Sequence, residues 1–399
     1  EKSMQDTVVN MAQNFVGSNN INLLQPNGQF GTRLLGGADS ASPRYIFTMQ
    51  EDITPLIYKP IDNYILDYEM DDTRKIEPSN YLPIICMSLI NGSIGIGTGY
   101  STKVPNYNPR DIILNIKNKI NGDNYKKMIP WYRNFKGLIS KKDSTSFWCR
   151  GLFSVNKNYV TITELPIGKW TYKYQDFLDN SYTEKGKTTK SKFVQNYERH
   201  FTDTTVEFKI KIDKSYIEKW LAAVDENGIT DLEKVLKLND TISISNMYLF
   251  DSENNIKKYK NPEAVLDIYF EARLIGYDKR RKFLIDKLNH ELMILDAKAQ
   301  FIMAIINKKL TISNRKKSDI IKDLEKMKLP KVETENNGKS YDYLLKLLIY
   351  NLTKEKVEEL LKQQEKTKKE VNTLKKKKSQ DLWMEDLELL EKYMDKINY

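Results

Sequence analysis

An arginine and a tyrosine stand side by side at Arg44 and Tyr45, inside a stretch of small residues that runs from 25 to 48. A free phenol has a pKa near 10, so attack on phosphorus requires a base or a nearby positive field. Arg44 supplies a fixed charge and a planar fork of donors that suits phosphate oxygens. The pair could therefore attack a phosphodiester, although the chain has 24 tyrosines and a bare Arg-Tyr pair is a weak signal.

The residues around this pair have phosphate-binding chemistry as well. Ser40 and Ser42 carry hydroxyls that can donate to neighbouring phosphates, and Gly36 and Gly37 allow backbone N–H groups to approach closely. We therefore expect a loop that meets a nucleic-acid backbone.

Two further segments stand out by their composition. NGSIGIGTG (91–99) is glycine-rich but lacks the Gly-Lys-Ser/Thr of a phosphate-binding loop. ARLIGYDKRRKFLIDKL (272–288) crowds basic residues at the start of a helical pattern. A solvated face is the default interpretation of such a run, and phosphate contact is the alternative.

The composition favours a polyanionic partner, since the net charge is +10 and the pI is about 9.1 over 399 residues. The two cysteines and two histidines are far apart and match no metal-binding spacing. No apolar run approaches membrane length, so we expect no membrane partner.

The elements follow from periodicity. A short helix is expected over 3–16, ended by Gly17, and another begins at Asn108-Pro109. Alternating segments between 135 and 255 predict strands, with a lysine-rich loop over 183–192. Long helices follow from 263, over 353–375 and over 381–394.

The segment between the first two long helices predicts a small knob of shorter helices. Its apolar residues fit either a dimer contact or internal packing, and the pattern alone does not choose between them: Tyr341, Leu344, Leu345, Leu348 and Tyr350.

Longer motifs point to a family. GQFGTRLLGGADSASPRYIFT and the preceding NMAQNFVGSNNINLLQP resemble the active-site region of type IIA DNA topoisomerases, in the form of the eukaryotic and large-virus branch. ELPIGKW, FTDTTVEF, SNMYLFD and KSYDYLL through DLWMEDL resemble later parts of the same family, so the resemblance covers nearly the whole chain.

The resemblance implies an α+β multidomain fold. Residues 1–108 would form a winged-helix DNA-cleavage domain, 109–258 an α/β tower domain, and 259–399 a long antiparallel coiled coil with a helical C-gate that dimerises.

The resemblance also implies roles for single residues. Tyr45 would form a 5′-phosphotyrosyl link, and Arg44 would stabilise the scissile phosphate. Ile96 would be a wedge between base pairs, with a buried core position as the alternative. The other expected DNA contacts are Arg33, Ser40, Ser42, Arg273, Lys279 and Arg280. The family commonly has lysine where this chain has Ala38.

The function so implied is an ATP-dependent topoisomerase that passes one duplex through a transient double-strand break in another, working as a homodimer. This sequence contains no acidic Toprim motif (EGDSA with a later DxD) and no ATP-binding segment. In the family, the Toprim carboxylates bind Mg²⁺ and act on the partner protomer's tyrosine. Both segments lie N-terminal to the start of this chain in the family. We therefore expect this chain alone to bind DNA without cleaving it. The location would be the nucleus for a cellular eukaryote, or the host cytoplasm or virion for a virus.

Two rival functions remain open. A non-catalytic DNA-binding scaffold could keep the fold and lose the activity, although the Arg44-Tyr45 pair argues against it. A tyrosine recombinase or nicking enzyme would need a histidine or histidine-bound metal near the tyrosine, and His200 and His290 are both remote in sequence.

Overall fold

A computed structural model describes residues 1–97, 99–183, 188–251, 253–334 and 338–399, without the side chains of Thr334 and Ile349. Thr98 of the glycine-rich segment and residues 184–187 of the expected lysine-rich loop lie outside these ranges.

The described residues form α-helices throughout the chain. They are α1 (Lys2–Ala12), α2 (Thr54–Ile57), α3 (Met87–Ile90), α4 (Pro109–Asn121), α5 (Thr171–Asp179), α6 (Lys214–Ala222), α7 (Asp231–Val235), α8 (Pro262–Ile306), α9 (Lys317–Lys326), α10 (Asp342–Leu345), α11 (Lys354–Lys376) and α12 (Ser379–Lys396).

The strands are short and pair antiparallel. They are β1 (Tyr68–Asp71), β2 (Arg74–Pro78), β3 (Ser93–Gly97), β4 (Tyr100–Val104), β5 (Leu138–Lys141), β6 (Ser146–Arg150), β7 (Leu152–Asn156), β8 (Tyr159–Glu164), β9 (Asn196–Arg199), β10 (Phe208–Lys211), β11 (Asn239–Ser243), β12 (Met247–Phe250), β13 (Ile256–Tyr259), β14 (Val332–Thr334) and β15 (Gly338–Ser340). The sheet orders are β7-β8-β10-β9 and β11-β6-β5, beside the pairs β1-β2, β3-β4, β12-β13 and β14-β15.

The fold is therefore α+β, and the chain divides into two compact units. The first comprises residues 1–60, 80–273 and 384–399, and the second comprises 61–79 and 274–383.

One hydrophobic core of the first unit lies under the sheet β7-β8-β10-β9. Val160 and Ile162 alternate with exposed or half-buried neighbours along β8, and Phe208 and Ile210 oppose them on β10. This period of two is the pattern expected of a sheet with one covered face. α5, α6 and α7 supply the covering residues, among them Tyr174, Trp220 and Leu232.

In the second unit α8 packs antiparallel to α11. Asp296 accepts a hydrogen bond from Gln364 at 3.2 Å, and Arg281 donates to the carbonyl of Lys375 at 2.8 Å, so the contacts run in opposite directions along the two helices. The buried residues of α11 are Val357, Leu360 and Val371. A separate core joins these helices to α9 and α10 through residues that include Ile302, Leu324 and Tyr341.

Several expected boundaries are confirmed and others are wrong. The Asn108 side chain accepts a hydrogen bond from the Arg110 N–H at 2.9 Å and so caps α4 as expected. The helix expected over 3–16 ends at Ala12 instead of running to Gly17. The side-chain amide of Asn19 ends it by donating to the carbonyls of Asn10 and Gln13 at 2.6 and 2.8 Å.

The knob contains a strand pair, β14-β15, where only short helices were expected. Tyr341 and Leu344 lie in its core, whereas Leu348 and Tyr350 are 56% and 72% exposed. Leu345 is half-buried against the same core, so internal packing explains three of the five apolar residues and leaves two at the surface. No helix in the described ranges is both long enough and apolar enough to cross a membrane.

Candidate functional site

Tyr45 stands at the end of a 3₁₀ turn, Pro43–Tyr45, and is 66% exposed. Pro43 fixes the backbone at the start of the turn, and the Tyr45 N–H donates to the Ser42 carbonyl at 2.9 Å. The phenol therefore reaches solvent from a defined backbone.

Arg44 lies over the Tyr45 ring, with its guanidinium carbon 4.8 Å from the ring centroid. Both side chains are exposed, as is Ser42, whereas Ser40 is half-buried. The structure thus brings a fixed positive charge and a phenol hydroxyl into one accessible place, which is the arrangement that attack on a phosphodiester requires.

The loop is anchored to α1. Phe47 and Asn27 exchange backbone hydrogen bonds of 3.0 and 3.2 Å, which closes the segment between them. Phe30, near the start of this segment, packs with Val9 and Ala12 of α1. The helix preceding the loop therefore provides its base.

Internal contacts fix the middle of the loop. Asp39 accepts hydrogen bonds from the Thr32 N–H at 2.9 Å and from the Thr32 hydroxyl at 2.5 Å. The Gly37 N–H donates to the Thr32 carbonyl at 2.9 Å and is therefore engaged within the loop. A side chain on Gly31 would meet the Gly37 backbone at 2.6 Å, which explains the close approach of these two glycines.

Arg33 lies inside the protein. Its side chain is 7% exposed, and its guanidinium donates to Glu164 at the end of β8 at 2.5 Å. The same carboxylate accepts the N–H groups of Leu165 and Lys136 at 2.9 and 3.3 Å. Arg33 is thus engaged in a buried ion pair that holds the loop, and the DNA contact expected of it is not supported by this position.

A tryptophan completes this attachment. Trp170 packs against Gly36 so closely that a β-carbon there would lie 2.2 Å from the indole ring. Next to it, the N–H groups of Thr171 and Tyr172 donate to the carbonyls of Arg33 and Leu34 at 3.3 and 3.1 Å. Residues 164–172 therefore hold one side of the Tyr45 loop, and we call them the loop clamp.

Ile96 lies on a hairpin formed by β3 and β4 and is 93% exposed, so the alternative of a buried core position is wrong. The base of the hairpin is fixed, because the Lys103 N–H donates to the Asn246 carbonyl at 2.8 Å and the Tyr248 N–H to the Thr102 hydroxyl at 3.1 Å. An isoleucine held this way is available to an external partner.

The three basic residues expected on α8 differ in their surroundings. Arg273, in the first unit, is 1% exposed. In the second unit, Arg280 makes a two-pronged ion pair with Asp62 at 2.6 and 2.5 Å, and Lys279 pairs with Asp67 at 3.0 Å. Only Lys279 keeps an exposed amine, with half of its side chain accessible, and phosphate contact by all three stays a prediction.

No group of three histidine, cysteine or acidic residues within the described ranges could hold a metal ion.

Burial raises the pKa of both thiols, of Cys86 to about 11 and of Cys149 to about 11, so neither is a thiolate nucleophile near neutral pH. His200 contacts Glu198 at 3.2 Å on the exposed face of a strand pair. The tyrosine is therefore the candidate nucleophile of the loop.

Sequence reasoning missed the residues that hold the loop. Asp39 is adjacent to Ser40 and could have been identified as a local acceptor, whereas Glu164 and Trp170 occur in a motif noted only for its resemblance. No pattern along the chain pairs Arg33 with a carboxylate 131 residues away.

Comparisons with known proteins agree on one family. Residues 1–388 match the family model for the A subunits of DNA gyrase and topoisomerase IV. The chain is 40% identical to DNA topoisomerase 2-beta of Homo sapiens over 427 residues, covering 100% of this chain and 26% of the relative. It is 39% identical to DNA topoisomerase 2 of Arabidopsis thaliana over 436 residues, covering 100% of this chain and 29% of the relative.

A solved structure is similar as well. It is described as the topoisomerase II DNA-binding, cleavage and re-ligation domain of Plasmodium falciparum. The TM-score is 0.88 at 37% sequence identity, covering 99% of this chain and 55% of that one. The chain spans only 26% to 29% of the length of the two DNA topoisomerase 2 relatives from Homo sapiens and Arabidopsis thaliana.

Proposed function

Because this chain belongs to the A-subunit family of DNA gyrase and topoisomerase IV and aligns along its length with eukaryotic DNA topoisomerase II, we propose that it is the part of a type IIA topoisomerase that breaks and rejoins DNA. The single observation that carries the proposal is Arg44 over the exposed Tyr45 ring at 4.8 Å. The hydrogen bonds that fix the middle of the same loop support it.

The proposed reaction is a reversible transesterification. The Tyr45 phenolic oxygen bonds to phosphorus, the bond from phosphorus to the 3′ oxygen breaks, and the 5′ end remains on the tyrosine. The phenol loses its proton and the leaving 3′ oxygen gains one, so protons balance. Arg44 stabilises the phosphoryl oxygens as negative charge builds on them. Because the phosphotyrosine retains a phosphodiester bond, resealing needs no external energy.

The hairpin bearing Ile96 supplies DNA bending in this proposal. An apolar side chain inserted between base pairs unstacks a step at a cost of about a few kcal/mol and kinks the duplex. The exposure of Ile96 and its fixed strand position support this role.

Changing Ile96→Ala should reduce the DNA bend angle, measured by fluorescence energy transfer between the duplex ends, while affinity falls by less than about tenfold. The reason is that the wedge drives deformation, whereas phosphate contacts supply most of the affinity. Ile129→Ala, which removes an isoleucine that is 48% exposed elsewhere in the first unit, is the control. An unchanged bend angle in the Ile96 variant would refute the wedge.

The proposed full enzyme uses Mg²⁺ and ATP, but the described residues of this chain do not form a binding site for either. They contain no metal-binding cluster, and the glycine-rich segment forms a strand pair instead of a loop that opens a helix. We propose that the Mg²⁺ ligands lie in a Toprim segment, supplied by the partner protomer, and that ATP binds a further segment.

The isolated 399-residue chain should therefore retard duplex DNA on a gel and form no covalent adduct, even with Mg²⁺. The full-length polypeptide should form adducts with Mg²⁺ and relax supercoils with ATP. Adducts are scored as DNA that stays protein-bound after detergent denaturation. Adduct formation by the isolated chain would show that it holds a complete active site.

We propose the winged-helix (1–108), tower (109–258) and coiled-coil with C-gate (259–399) regions as functional domains. They differ from the two contact units, because 61–79 belongs to the second unit and 384–399 to the first. The exposed Leu348 and Tyr350 support a homodimer contact at the knob. We propose a nuclear location for a cellular eukaryotic source, and the host cytoplasm or virion for a viral one.

A further inference from the structure

A second isoleucine, Ile94, lies two residues before Ile96 on β3 and is 82% exposed. Successive strand residues point to opposite faces, so Ile94 and Ile96 share one face of the hairpin. In the register of the hairpin, Ile94 opposes Lys103 and Ile96 opposes Ser101, and directly opposed residues also share a face. Both opposing residues are exposed. The face thus presents two isoleucines beside a lysine and a serine.

The hairpin is thin at this point. A β-carbon built on Gly95 or Gly97 would have no neighbour within 4 Å. The neighbouring chain therefore leaves both faces of β3 open. A two-stranded hairpin without flanking structure could enter a narrow DNA groove. Adjacent exposed apolar residues are typical of a contact surface.

Duplex DNA is the occupant that the charges favour. Lys103 lies beside Ile94, and the chain carries a net charge of +10. A minor groove is about 6 Å wide, with phosphates along both walls, so it can take apolar side chains at its floor and a lysine at its edge. The inference rests on the proposed function, in which Ile96 inserts between base pairs.

The spacing of the two isoleucines matches DNA. Residues two apart on a strand are separated by about 6.6 Å, and base pairs rise by about 3.4 Å each. Ile94 therefore falls about two base pairs along the groove from the step that Ile96 enters.

From this juxtaposition we propose that Ile94 determines sequence preference by covering the groove floor of a base pair near the bend. All base pairs present acceptors there, but G·C adds the 2-amino group of guanine, a protruding donor. An isoleucine pressed on that group blocks it from water and offers no acceptor, which is unfavourable. The site therefore prefers pairs that lack the 2-amino group.

The test uses the full-length polypeptide and duplexes that differ at one pair, scanned one to three steps on each side of the bend. The variable pair is A·T, G·C or inosine·C. Inosine·C keeps the major-groove groups of G·C and lacks the 2-amino group. At one position we expect A·T and inosine·C to bind alike and G·C about tenfold more weakly. Ile94→Ser should remove this difference, whereas the control Ile129→Ser should keep it.

Two outcomes would overturn the inference: inosine·C behaving like G·C, or discrimination persisting in Ile94→Ser. Discrimination that persists in Ile94→Ser is also the result expected if this face of the hairpin binds a protein partner instead of DNA. Failure of the underlying function is distinguishable, because Ile96→Ala would then leave the bend unchanged. Since Ile94 is exposed, the variant should keep the wild-type melting temperature, which confirms that the comparison is between folded proteins.

Discussion

The full-length polypeptide with Tyr45→Phe should lose the covalent DNA adduct by at least about a thousandfold, because the change deletes the oxygen that bonds to phosphorus. DNA affinity should change less than about threefold, because phosphate contacts dominate binding. The ring and its contact with Arg44 remain in the variant, so the loop keeps its shape. Adduct is measured after detergent denaturation in the presence of Mg²⁺, and affinity is measured separately on uncut duplex.

Tyr81→Phe is the matched control, since Tyr81 is 62% exposed in the same unit. It should retain wild-type adduct formation. Adduct that survives in Tyr45→Phe would mean that another residue is the nucleophile. Absence of adduct in the wild-type polypeptide with Mg²⁺ would favour the alternative of a DNA-binding scaffold without catalysis.

The second large effect is expected from Glu164→Ala. This change leaves the buried Arg33 guanidinium without its carboxylate and removes the acceptor of two backbone N–H groups. Breaking a buried ion pair in this way costs about 3–5 kcal/mol of folding free energy. The loss is measured by urea unfolding, together with hydrogen exchange of the Thr171 and Tyr172 amides, which donate to the Tyr45 loop. Those amides should exchange faster.

Two comparisons isolate the cause. Glu198→Ala removes an exposed acid that pairs with Lys209, and it should hardly change stability because solvent screens such pairs. The double variant Arg33→Met/Glu164→Leu should be more stable than Glu164→Ala, because apolar residues can replace both charges. Equal stability of Glu164→Ala and Glu198→Ala would show that the buried pair does not hold the loop.

Local patterns predicted the elements well where local contacts decide them. Asn108 caps α4 through its own neighbour, and the strands β8 and β10 follow the alternation of Val160, Ile162, Phe208 and Ile210. Prediction failed at the end of α1, because the terminating hydrogen bonds come from Asn19, beyond the expected stop. An apolar period cannot reveal such a side-chain contact.

The candidate site divides in the same way. The Arg44-Tyr45 pair is adjacent in sequence and could be identified directly. The function of Arg33 could not, because its partner Glu164 joins the loop only after the chain has folded. The family resemblance suggested that Arg33 contacts DNA, and burial is what distinguishes an arginine that faces a ligand from one that holds the protein together.

The openness of the hairpin has an evolutionary consequence. Because Ile94 and Ile96 are almost fully exposed, and Gly95 and Gly97 have no neighbours on their open sides, substitutions there disturb little of the folded core. Surface changes of this kind usually alter stability by less than about 0.5 kcal/mol. Under the proposed function, selection could therefore change the sequence preference of the hairpin without disturbing the fold of the Tyr45 loop. In the proposed function, the residues that set the DNA preference lie outside the core, whereas the loop that carries Tyr45 is held by the buried pair of Arg33 and Glu164.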